Sequence, residues 1–241
     1  MILLVLQSFL IKLLAGISVM LCLMPHKNVA SAFFRIQMFV LLALGCLAAV
    51  LATPRLPWLA GGVMATLAFF GSALWLLERR QAGMTLLAAI ALISTGSLVW
   101  LAASHPQPWL WAASFLASAG TLGGTMTGML LGHRYLTAPG MPLLPLQRLN
   151  LYLAVAVALR LLLSAAPFVW GLLPGSTDMV SLSLRWLAGI VGPGVATLLI
   201  WRILRYRNTQ AATGVLFAAV IFAFIGELTA ELLSQSLPFP I

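Results

Sequence analysis

Gly120-Thr121-Leu122-Gly123-Gly124-Thr125-Met126-Thr127-Gly128-Met129-Leu130-Leu131-Gly132 sets Gly120, Gly124, Gly128 and Gly132 four residues apart inside a long apolar segment, and His133-Arg134-Tyr135 follow directly. That spacing places the four glycines on one helix face as a smooth ridge. In lipid, hydrophobicity does not drive one helix onto another, so small residues at this interval serve to let a neighbouring helix approach closely. The stretch predicts a packed bundle of membrane helices.

The rest of the chain agrees. Its 241 residues are 62% hydrophobic and 7% charged, with a mean hydropathy of +1.09, which excludes a soluble domain. A helix needs about 20 apolar residues to cross the hydrocarbon. Eight segments qualify, at roughly 2–24, 31–53, 57–77, 83–103, 109–132, 149–172, 180–203 and 212–234. The predicted fold is an all-α polytopic transmembrane bundle of about eight helices forming a single membrane domain over residues 1–241. The connections leave no room for a soluble catalytic domain, so any chemistry must use the helices or partner chains.

The net charge of +9 is a topology signal rather than a sign of nucleic-acid binding. Lys27, Arg35, Arg79, Arg80, Arg134, Arg148, Arg202, Arg205 and Arg207 lie between spans 1–2, 3–4, 5–6 and 7–8, whereas the other side has Arg55, with Arg185 just inside it. Because basic residues accumulate on the cytoplasmic side, both termini are expected outside. The first segment has no basic n-region and no small-residue cleavage site before Pro25-His26-Lys27, and reads as a retained helix.

Few residues can carry chemistry. Cys22 and Cys46 lie in spans 1 and 2 and read as core residues, with no metal-ligand set and no disulfide framework. No phosphate-binding loop, dinucleotide fingerprint, zinc spacing or nucleophile elbow occurs. Of three histidines only His26 and His133 share a side, a poor basis for a b-type haem, and no covalently bound cofactor or metal is expected. His133 closes the ridge at the cytoplasmic boundary, where it is either an interfacial anchor or a quinone or proton-relay contact. After it, Pro139, Pro142 and Pro145 predict a stiff extended loop that lies on the bilayer surface or against a partner chain.

The intramembrane charges say more, since each costs a few kcal/mol near the bilayer centre unless it faces protein or water. Counting about 1.5 Å per residue from the span ends puts Lys12 and Arg160 near the midplane, Glu227 toward the outer side, and Arg185 and Glu231 closer to the outer boundary. Glu227 and Glu231 are one turn apart on one face of span 8 and call for basic neighbours. By depth, Arg185 pairs first with one of them. These charges serve equally as structural ion pairs, as a redox-linked proton site with quinone, or as the lining of a proton- or anion-coupled transporter. In span 7, Gly192-Pro193-Gly194 predicts a kink, most simply architectural.

Eight spans with outward termini, a glycine-rich fifth helix, Arg185-Trp186 early in span 7 and Gly226-Glu227-Leu228 in the last span resemble the membrane-anchor subunits of the dimethyl-sulfoxide-reductase and polysulfide-reductase type. Glu231 stands where those anchors usually carry arginine, and Ala52-Thr53-Pro54 lacks the histidine expected there. The resemblance implies a bacterial inner-membrane subunit that binds partner subunits of a redox complex and contacts quinone without a cofactor of its own. A scaffold that packs a partner through the glycine ridge is the remaining alternative. Reporter fusions after Gln81 and after Asn208 should be cytoplasmic and a fusion at Ile241 external; an inward C-terminus would refute the eight-span reading.

Overall fold

The computed structural model describes residues 2–53, 58–138, 140–169 and 179–234. Over these residues the chain forms α1 (Ile2–Leu23), α2 (Ser31–Val50), α3 (Trp58–Leu76), α4 (Arg80–Ala102), α5 (Pro108–Thr137), α6 (Leu144–Val169), α7 (Met179–Trp186), α8 (Gly192–Arg205) and α9 (Thr209–Ser234). A π-helical turn, Leu187–Val191, joins α7 to α8 into one continuous pass. By length and composition, α1, α2, α3, α4, α6, the α7–α8 pass and α9 can each cross a membrane. α5 is longer than any of these, but its glycines, serines and threonines dilute its hydropathy.

That dilution fits its position. α5 packs against α1, α4, α6 and α9, and most of its inner residues are buried. Side chains such as Ser118, Thr125 and Thr127 are therefore enclosed by protein. Thr121 and Thr125 donate back to the carbonyls of Ala117 and Thr121 in their own helix, which satisfies their hydroxyls without a partner helix.

The glycine ridge is filled from within the chain. Gly120 faces the Ala156 side chain, Gly124 faces Leu153, Gly128 faces Leu216 and Leu149, and Gly132 faces Thr213, so the ridge accepts side chains of α6 and α9. It is not a free face for a partner, which corrects the scaffold reading. The close backbone approach lies one residue off the ridge, where Gly123 meets Gly16 of α1 and a Cβ on either glycine would overlap the other helix's backbone. Helix pairing in lipid relies on such close fits, because dispersion between the backbones replaces the missing hydrophobic drive.

Two span ends and the break in span 7 differ from expectation. α5 continues to Thr137 and α6 begins at Leu144, so the connection between them is far shorter than a 132–149 gap. Pro145 sits in the first turn of α6, where a helix needs no amide donor, so it starts a helix instead of extending a loop. Pro139 lies outside the described residues. In span 7 the irregularity precedes the expected site: the Gly192 amide bonds to the Leu187 carbonyl, five residues back, and the wide turn takes up the ring of Pro193.

The short turns use local chemistry. Glu78 and Arg207 adopt φ of 56° and 55°, and the Arg79 amide reaches the Leu74 carbonyl at 2.9 Å, closing α3 in a Schellman arrangement. Asn208 caps α9 through a 3.0 Å bond from the Ala211 amide to its side-chain oxygen. Replacing Gly123 with Leu should overpack α1 against α5 by about 1–3 kcal/mol or more, read as a fall of about 5 °C or more in melting temperature in detergent. Gly62→Ala and Gly96→Ala, where an added Cβ meets nothing within 4 Å, should leave it unchanged.

Candidate functional site

The charged residues within the spans converge in the core. Ser8 and Lys12 lie one turn apart on α1, and Glu227 and Glu231 one turn apart on α9, so the two pairs face each other in register. Lys12 Nζ donates to Glu227 Oε1 at 2.6 Å and also to Glu231 Oε1. Ser8 Oγ donates to the same Glu231 oxygen at 2.8 Å. Glu227 Oε2 accepts from Arg160 Nη2 of α6 at 3.3 Å, so both oxygens of this carboxylate are held.

Further side chains complete the shell. Arg160 Nη1 donates to the backbone carbonyl of Ser114 on α5 at 3.3 Å and to the Ser114 hydroxyl. The Phe115 ring faces the Lys12 ammonium at 4.4 Å from its centroid, an attraction that strengthens where water is excluded. Arg185 is 1% exposed and donates from Nη2 to Ser164 Oγ at 3.2 Å.

Glycines make room for this last arginine. A Cβ on Gly189, one turn along from Arg185, would strike the Arg185 guanidinium, and Gly189 lies against Gly226 of α9 with no side chain between them. The π-helical turn and Gly226 thus bring the guanidinium beside the residue that precedes Glu227. Charges taken out of water need such complete partnering, because the desolvation penalty is several kcal/mol per ion.

Depth had paired Arg185 first with a glutamate. The ion pairs to the glutamates within 4 Å run instead from Lys12 and Arg160, with Arg185 hydrogen-bonded to Ser164. α7 also packs on α9, so adjacency does not choose the pair: the long lysine side chain reaches both carboxylates across one turn of α9, while the Arg185 guanidinium turns to Ser164 of α6. Ser8, Ser114 and Ser164 were missed in the sequence. The matching i, i+4 spacing of Ser8–Lys12, Arg160–Ser164 and Glu227–Glu231 was the available signal.

His133 does not join the cluster. It is exposed and lies 19 residues along α5 from Ser114, about 28 Å away at 1.5 Å per residue. Its neighbour Tyr135 is buried and donates to the Pro142 carbonyl at 2.6 Å, a bond that pins the α5–α6 connection. Among the described residues no group of three histidine, cysteine or acidic side chains could hold a metal ion. Two cavities open elsewhere on the bundle. One of about 610 Å³ is lined by Asn150, Thr197, Trp201 and Arg205 of α6 and α8, and one of about 560 Å³ by Met20, Leu116, Tyr152 and Leu159 of α1, α5 and α6. Neither is lined by the charge cluster.

Comparison with protein families, with curated proteins and with solved structures finds no match to this chain. Its character rests on the geometry alone: a multi-pass helical membrane protein with a buried ionic network across five helices.

Replacing Arg160 with Met should cost about 3–5 kcal/mol, since it strips a buried carboxylate of one cation. Arg202→Met, at an exposed helix end, should stay within about 0.5 kcal/mol of the parent. Thermal melts of the two purified variants check both values.

Proposed function

We propose that this protein is an integral subunit of a membrane redox complex in a bacterial inner membrane, where it anchors a partner subunit and moves protons linked to quinol chemistry. The observation that carries this reading is one lysine bridging two carboxylates, buried Glu227 and half-buried Glu231, both on Lys12. Quinol oxidation releases protons, and carboxylates that share a lysine in a low-dielectric core form a chain along which protons can be exchanged. The resemblance of the span layout, Arg185-Trp186 and Gly226-Glu227-Leu228 to quinol-linked anchor subunits supports the same assignment. The electrons go to a partner subunit.

A second reading, a small proton- or anion-coupled transporter, is favoured by one feature. The π-helical turn Leu187–Val191 packs on Gly226, directly beside Glu227, and irregular helix turns next to buried charges are where alternating-access proteins change shape.

Glu227→Gln separates these readings from a purely structural ion pair. The tagged chain, purified from native membranes with the subunits that accompany it and reconstituted in proteoliposomes, should oxidise quinol in the parent form. The variant should assemble but lose at least about tenfold in turnover, and its rate should no longer depend on pH. Full turnover with an unchanged pH profile refutes the proton role. A parent chain that purifies alone and dissipates a pH gradient upon substrate addition supports the transporter.

A further inference from the structure

We infer that Lys12 is a proton relay between Glu227 and Glu231, and that Glu231 is the carboxylate that exchanges with the outside. This deepens the proton role proposed above and rests on it for its physiological purpose. Among the described residues, Lys12 is the cation seen to touch both carboxylates. Three groups of the same sign crowd the site, Lys12 from α1, Arg160 from α6 and Arg185 from α7, while α5 contributes Ser114 and Phe115. Of the three, the lysine is the one whose ammonium proton is transferable, because a guanidinium stays charged in proteins.

The two carboxylates are not equivalent. Arg160 holds Glu227, whose side chain is 5% exposed; Glu231 has a hydroxyl and the ammonium as its partners and is 11% exposed. Transfer runs in two balanced steps. The ammonium passes one proton along its existing hydrogen bond to Glu231 Oε1, leaving a neutral amine and a neutral carboxylic acid. The amine then takes the proton of a protonated Glu227, which restores the ammonium and leaves Glu227 a carboxylate clamped by Arg160. The net result is one proton moved from Glu227 to Glu231, one helical turn along α9. The Phe115 face and the Ser8 hydroxyl keep the ammonium and the receiving oxygen aligned.

K12R tests the relay, because arginine keeps the charge and the ion pairs but cannot release the proton. Infrared difference spectra of the full chain in detergent after a pH step read this without any quinol. The parent should show a protonated-carboxyl band of Glu231, lost in E231Q but kept in K12R, and a band of Glu227, identified by its loss in E227Q, that is lost in both K12R and E231Q. In the reconstituted complex, K12R and E231Q should each lower quinol turnover at least about tenfold, as E227Q does. A Glu227 band and turnover that persist in K12R show the ammonium to be a plain counter-charge and overturn the relay, while inactivity of E227Q alongside it leaves the redox reading standing. If K12R does not fold, E231Q decides: a Glu227 band that still forms in that variant overturns the assignment of the exchanging group. A parent chain whose Glu227 band is lost in K12R but which has no quinol turnover keeps the relay and removes the redox reading.

Discussion

Burial of a lysine between two carboxylates is the constraint to which the rest of the bundle is fitted. Charges at the depth of Lys12, Glu227 and Arg160 tolerate no loose partner, since water is not there to replace one. Every helix that reaches them must present a polar atom at the right height, and α1, α5, α6, α7 and α9 each do. The network ties together helices distant in sequence, with 215 residues separating Lys12 from Glu227. Burying one member without the others would be strongly unfavourable, which makes the set a strict filter on how the helices pack.

Small residues supply the complementary half of that filter. Gly16 and Gly123 let α1 and α5 touch backbone to backbone, and Gly189 and Gly226 do the same for the π-helical turn and α9. The second contact borders the charge cluster and leaves the space that the Arg185 guanidinium fills. Close packing and ionic partnering are therefore one design here: short interhelix distances put the long cationic side chains within reach of their acceptors. The aromatic stack of Phe34 on Trp75, at 4.4 Å and 11° between planes, secures the α2–α3 side without polar groups.

The members of the cluster are held in different ways. The arginines are permanent charges with fixed serine partners, whereas Lys12 sits between two acceptors and against a ring face that retains it through attraction alone. Glu231, one turn along from Glu227, takes the same ammonium and the Ser8 hydroxyl on one oxygen. The two cavities described above lie away from the charge cluster.

Membrane class, the approximate positions of the helices and the residues that bear charge within them were legible in the chain itself. Bilayer thickness demands about 20 apolar residues per crossing, and each intramembrane charge is conspicuous against that background; both are properties of local composition. The glycine ridge likewise announced a tightly packed helix. What composition does not contain is the rotation of each helix about its axis and the identity of its neighbour. Gly123 rather than a ridge glycine meets α1, Lys12 rather than Arg185 bridges the glutamates, and Pro145 begins a helix instead of prolonging a loop. Depth along a span is additive and can be counted, but contact across a bundle depends on all the helices at once, so only the tertiary structure decided which charge holds which.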